Sequence, residues 1–183
     1  VYTQNKVKGA PILVTKKNLE KSENKSIAVI ANSKNANTCN ADGIEKAEAM
    51  CELLAKELNI PKEQVIVAST GVIGQILPIE PIKTGIPKLV KELDYNKNIE
   101  AATAIMTTDT IPKEIAFEFE IGGKTCTIGG MCKGSGMIHP NMATMLGFVT
   151  TDIDIEDGLL KKALKGIRNR RVFDENFLMA IAT

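Results

Sequence analysis

Apolar residues occupy alternate positions from 115 to 121. Ile115, Phe117, Phe119 and Ile121 interleave with Ala116, Glu118 and Glu120, the period of a strand with one apolar and one wet face. Gly122-Gly123 follows as a two-residue turn and residues 124–128 return, so the pattern predicts a β-hairpin. Elsewhere the strand signal is a continuous apolar run. Residues 26–31 (Ser-Ile-Ala-Val-Ile-Ala) and 64–69 (Gln-Val-Ile-Val-Ala-Ser) read as strands, the first apolar enough to be buried on both faces. Residues 7–15 read as a strand broken by Pro11, and 144–151 as another. Helical spacing shows in Ile44, Ala47, Cys51, Leu54 and Leu58, one stripe behind Asp42. Glu45, three residues after Asp42, completes a capping box in acidic form. Further helices are predicted over 88–93, beyond the connection carrying Pro78, Pro81 and Pro87, over 98–106, and from an Asp154 cap to about residue 167. No internal repeat interrupts the series. Buried strands with flanking helices place residues 1–183 in the α/β class, as one domain.

Composition narrows the function more than the fold. At 183 residues the chain can bury a real core. Its 23 basic and 22 acidic residues leave a net charge of +1, so no nucleic-acid or membrane partner is expected. The compact basic cluster of Arg168, Arg170 and Arg171 reads as a solvated helix end. Aromatic content of 4%, without tryptophan, removes the stacking platforms that bind bases. His139 is the only histidine, and Cys39, Cys51, Cys126 and Cys132 show no metal-ligand spacing, so no metal is expected. With no signal peptide or long apolar span, reduced thiols and a cytoplasmic location are expected. The chain opens on Val1-Tyr2-Thr3-Gln4, without methionine, which suggests an upstream segment.

Three stretches carry candidate chemistry. Thr70-Gly71 directly follows a buried strand, where glycine lets a backbone amide approach a developing oxyanion; its plainer reading is a tight turn. Lys133-Gly-Ser-Gly136 lacks the Gly-Lys-Ser/Thr ending of a nucleotide loop, but a lysine there can clamp a carboxylate as a point charge. Thr107, in Thr107-Thr-Asp-Thr110, either ends a helix or lines a pocket with its hydroxyl. Behind the glycine run, Ala143-Thr144 is where a chain can cut itself and expose an N-terminal threonine. Such a residue carries nucleophile and base together, because the freed α-amine has a pKa near neutrality. His139 shows no triad partners and reads as incidental.

Taken together, five segments resemble the ornithine acetyltransferase (glutamate N-acetyltransferase) family of arginine biosynthesis. They are Asn5-Lys-Val-Lys-Gly-Ala-Pro-Ile-Leu-Val14, Asn32-Ser-Lys-Asn-Ala-Asn37, Ser69-Thr-Gly-Val-Ile-Gly74, Met106-Thr-Thr-Asp-Thr110 and Lys133-Gly-Ser-Gly-Met-Ile-His-Pro-Asn-Met-Ala-Thr-Met-Leu146. The resemblance implies a layered α/β sandwich of the ornithine acetyltransferase or DmpA-like type, outwardly similar to N-terminal nucleophile hydrolases. It implies self-cleavage between Ala143 and Thr144, with 1–143 matching the family α-chain and 144–183 only the start of its β-chain, divergent after about residue 165. It assigns Thr144 as nucleophile, Thr70 and Gly71 as oxyanion hole, and Thr107, Lys133 and Thr144 as substrate-binding positions. The implied reaction moves acetyl from N-acetylornithine to glutamate without a cofactor, with acetyl-CoA as an optional second donor. The implied partners are small amino-acid substrates and a β-chain, in an oligomer of αβ units. The tail 168–183 lacks the family pattern, so a truncated or rearranged piece of a longer precursor is expected. Two alternatives stay open: an aminopeptidase of similar fold with a self-generated nucleophile, and a non-catalytic fragment that binds a partner chain.

Overall fold

The computed structural model describes residues 2, 5–134 and 146–169. Its strands form two sheets with helices beside them, the mixed α/β arrangement that the run-and-stripe pattern predicts. In the first sheet β1 (Ala28–Asn32) and β2 (Val65–Ser69) run parallel, Ile30 opposite Val67. A parallel pair needs a crossover, and α2 (Gly43–Leu58) supplies it. Val65, Ile66 and Val67 of β2 are all buried. β1 is not buried on both faces as expected: Ile30 faces the core while Val29 is exposed.

The segment predicted as a strand over 7–15 is instead the start of a helix, α1 (Ala10–Lys21), with Gly9 at its N-cap. Pro11 sits in the first turn, where the N–H it lacks would have no helical partner. The helix is decided by long-range contacts. Thr15 Oγ1 donates to Val67 C=O (2.8 Å) and accepts Val67 N–H (3.1 Å). One turn on, Asn18 Nδ2 donates to Val65 C=O (3.0 Å). These two buried side chains satisfy main-chain groups of β2 that would otherwise be orphaned in the interior.

α2 buries Ala47, Met50, Cys51, Leu54 and Ala55 against this sheet, while Ile44 of the expected stripe is exposed. The capping box does not form. Asp42 makes no side-chain cap hydrogen bond and lies 3.9 Å from Lys46. α3 (Ile79–Lys91) begins nine residues before the predicted 88, and Ile86 anchors it in the core. Proline misled the reading twice here. Pro81 sits in the first turn, where its missing N–H is harmless, and Pro87 is tolerated in the interior.

The second sheet is antiparallel in the order β3 (Lys113–Ile121), β4 (Lys124–Cys132), β5 (Gly147–Thr151). Gly122 and Gly123 both have positive φ, +58° and +75°, as a type I′ hairpin turn requires. β4 runs four residues past the predicted 128 because β5 pairs with its second half. The apolar face of β3 is open: Phe117 is 53% and Ile121 56% exposed. α4 (Asn98–Ala104) lies against β3. α5 (Asp157–Asn169) starts after Glu156, whose carboxylate accepts Gly158 and Leu159 N–H (3.0 and 3.3 Å); the predicted Asp154 cap is two residues early. Among the described residues no helix is long and apolar enough to cross a membrane.

Candidate active site

The sequence-predicted residues fall into two groups, one at the end of each sheet. Thr70 and Gly71 follow β2. Here the chain runs beside the loop after β1 and exchanges main-chain hydrogen bonds with it. Thr70 N–H donates to Asn32 C=O (3.0 Å), Val72 N–H to Lys34 C=O (3.0 Å) and Ala36 N–H to Val72 C=O (2.9 Å). Gly71 has φ +132°, and a Cβ there would overlap the Lys34 carbonyl and the Asn35 amide. Glycine is therefore demanded twice, by backbone angle and by space. Thr70 is 2% exposed, and its hydroxyl makes no hydrogen bond among the described residues.

The loop that braces this turn is rich in asparagine over residues 32–40. Its asparagines are structural. Asn32 Oδ1 accepts Ser69 Oγ–H (2.6 Å) and Asn32 Nδ2 donates to Asn35 C=O (2.9 Å). Asn35 Oδ1 accepts Asn37 N–H (2.8 Å), and Asn37, fully buried, donates to Gly43 C=O at the start of α2 (2.9 Å). Short amides of this kind hydrogen-bond nearby backbone and tolerate left-handed φ, and Asn37 has φ +47°. The density of asparagine over 32–40 was the available signal.

In the second group, Asp109 joins Thr107 to the Lys133-Gly134 segment. Its Oδ2 accepts Thr107 N–H (3.3 Å) and its Oδ1 accepts Gly134 N–H, next to Lys133. Oδ1 also pairs with Lys113 Nζ at 3.1 Å. The Asp109 side chain is 2% exposed. Burial pushes its carboxyl pKa up, but the Lys113 ammonium and the Gly134 and Thr107 N–H groups outweigh burial and hold it below the ordinary 3.8. A folded pKa below the unfolded one contributes stability that is full above the unfolded value and lost as pH falls through the folded one. The expected result is that Asp109→Asn narrows the stability lost between pH 7 and pH 3, measured by urea unfolding at both.

Lys133 follows β4, its N–H bound to Leu146 C=O (3.0 Å). The residue is 7% exposed, and its ammonium donates to Gly134 C=O at 3.2 Å. A lysine ammonium has three donors, so this bond leaves capacity for an anionic ligand. The buried thiol of Cys51 is a poor nucleophile. Burial pushes the Cys51 thiol up to about 11, which keeps it protonated at neutral pH. Among the described residues no cluster of histidine, cysteine or carboxylate residues is placed to hold a metal ion. Ala143, Thr144 and His139 lie outside the described residues.

The chain matches the model of the ArgJ family over residues 1–175. It is 51% identical over 166 residues to the arginine biosynthesis bifunctional protein ArgJ of Staphylococcus aureus, covering 90% of this chain and 40% of that protein. Its identity to ArgJ 1 of Clostridium acetobutylicum is 53% over 165 residues, with the same coverage. The chain thus spans about 40% of the length of these curated relatives. Among solved structures, ArgJ of Bacillus halodurans superposes with a TM-score of 0.69 at 42% identity, over 78% of this chain and 74% of that one. The ornithine acetyltransferase of Mycobacterium tuberculosis, crystallised with ornithine, gives 0.69 at 37%, over 78% and 75%. Sequence, fold and the order of the motifs agree: this chain belongs to the ArgJ family.

Proposed function

We propose that the chain forms part of a cytoplasmic acyltransferase that moves acetyl from N-acetylornithine to glutamate through an acetyl-threonine intermediate. The observation that carries this reading is Lys133, a buried ammonium that, among the described residues, donates to one backbone carbonyl. Donor and acceptor both carry an α-carboxylate, and a desolvated ammonium binds one with charge-assisted hydrogen bonds. Thr107 stands across the same carboxylate of Asp109, which supports it as a second substrate contact. Acetyl-CoA is proposed as an alternative donor, since the relatives' name reads bifunctional.

The reaction runs through Thr144. Its hydroxyl attacks the Ala143 carbonyl, the acyl group shifts from nitrogen to oxygen, and water hydrolyses the ester to free the α-amine. One comparison supports the cut: the chain spans 74–75% of the crystallised chains but about 40% of the curated polypeptides. Cleavage of a precursor into two chains would produce that difference. The α-amine then takes the hydroxyl proton while oxygen attacks the acetyl carbon. Collapse of the tetrahedral oxyanion expels the ornithine α-amine, which receives a proton, and the glutamate α-amine attacks the resulting ester. With the Thr70 N–H bound to Asn32, the donors left to the oxyanion are the Thr70 hydroxyl and the Gly71 N–H.

The test is an acetyl-transfer assay beside an amide-hydrolysis assay, on the complete enzyme and its Thr70→Val variant. Transfer without net hydrolysis is expected in the wild type, with kcat lower by about 10²-fold in the variant, as for removal of one oxyanion donor. Hydrolysis without transfer would replace this reading with the aminopeptidase. The open apolar face of β3 favours a second point, that this chain needs a further chain of the same enzyme, in an oligomer of αβ units, before it turns over. Transfer by this chain alone would remove that requirement.

A further inference from the structure

We infer that Asp109 is a positioning residue that aims the Lys133 ammonium at the α-carboxylate of either substrate, an inference that rests on Lys133 being the carboxylate clamp. Lys133 Nζ donates to Gly134 C=O, so the orientation of Gly134 sets where the ammonium points. Gly134 is held by its own N–H, which Asp109 Oδ1 accepts. The fit is close enough that a Cβ on Gly134 would occupy the space of that carboxylate oxygen. The other oxygen, Oδ2, holds Thr107 N–H. One carboxylate therefore fixes the two substrate-binding positions relative to each other, although they are far apart in sequence.

Charge balance makes the arrangement selective. A buried carboxylate left unpaired would draw the nearest ammonium to itself. Asp109 already has a cation in Lys113, the first residue of β3, at 3.1 Å. Lys113 is in turn set by the ladder, opposite Cys132, the residue before Lys133. With Asp109 neutralised from that side, the charge of Lys133 remains available to a ligand.

The experiment uses the complete, self-processed enzyme and four substrates: N-acetylornithine, glutamate, and the analogue of each in which the α-carboxylate is a carboxamide. Wild type is expected to favour carboxylate over carboxamide by about 30-fold or more in kcat/KM, the scale of a charge-assisted bond. Asp109→Asn, which keeps the shape and one acceptor oxygen, is expected to raise KM for both natural substrates about tenfold with kcat within about twofold. Its preference for carboxylate should fall below about fivefold. Gly134→Ala attacks the same contact from the other side and should reproduce the loss of preference. A merely structural Asp109 would weaken carboxylate and carboxamide substrates equally, and that result overturns the inference. So does failure of both variants to fold, because the contact would then belong to folding alone. A wild type that does not distinguish carboxylate from carboxamide sinks the clamp reading of Lys133 itself, and the inference with it.

Discussion

Thr144→Ala is expected to give a single uncleaved chain by intact mass, and the wild type two fragments split between Ala143 and Thr144. Acetyl transfer by the variant should fall by at least about 10⁴-fold, the scale on which enzymes lose turnover without their nucleophile. The size of the effect follows from how much chemistry one residue carries. On the proposed mechanism the same oxygen would open the peptide bond and later bear the acetyl group, and the nitrogen acting as base would exist only after the cut. Alanine removes the oxygen, so the amine is never released. Serine at the position keeps both the hydroxyl and the amine that cleavage would free, so cleavage should persist. Cleavage of Thr144→Ala at the same bond would end the self-processing reading, since the cut would then come from another source.

The second large effect is at Gly71. Gly71→Ala should lower stability by about 3 kcal/mol, read as a shift in the urea midpoint. Two costs add. A φ of +132° lies outside the range an alanine adopts without strain, and the new Cβ would meet the backbone of Lys34 and Asn35 rather than a side chain that can swing away. The loop over 32–37 would have to retreat, breaking the Thr70-to-Asn32 and Val72-to-Lys34 bonds. Gly74 is the control. It too has a positive φ, +79°, but nothing lies within 4 Å of its Cβ position, so Gly74→Ala should cost only about 1 kcal/mol. Equal losses at the two sites would show that the backbone angle alone matters and that the close approach to Lys34 does not.

What the chain reveals of itself depends on how local each cause is. The β3–β4 hairpin was legible because its alternation and its Gly122-Gly123 turn are neighbours in sequence. α2 was legible from its stripe, although its edges were not, because Ile44 points away from the sheet and Met50 towards it. α1 was misread because β-branched Val14 and Thr15 favour strands locally. Their fate is set fifty residues on, where Thr15 meets Val67. The site divides the same way. Thr70-Gly71 showed itself as a glycine at a strand end, and Lys133 as a lysine before a glycine run. Asp109 was hidden inside Thr107-Thr-Asp-Thr110, because its meaning comes from Gly134 and Lys113 and no local pattern encodes both. The asparagine framework was visible as composition but not as function, since a polar loop and a buried brace use the same residues.

The hairpin turn at Gly122-Gly123 governs more than its own two residues. In an antiparallel ladder a slip of one residue moves every side chain of a strand to the opposite face. β4 counts from that turn to Cys132, and Lys133 comes next. An inserted residue that shifts this register would therefore act as a remote point mutation of the proposed carboxylate clamp, turning the Lys133 ammonium away while leaving its sequence intact. β5 resists such a slip from the other side, pairing Cys132 with Gly147. The strand that delivers Lys133 is thus indexed at both ends, like a ruler with two stops, and length variation in this family should be tolerated outside the stretch between them.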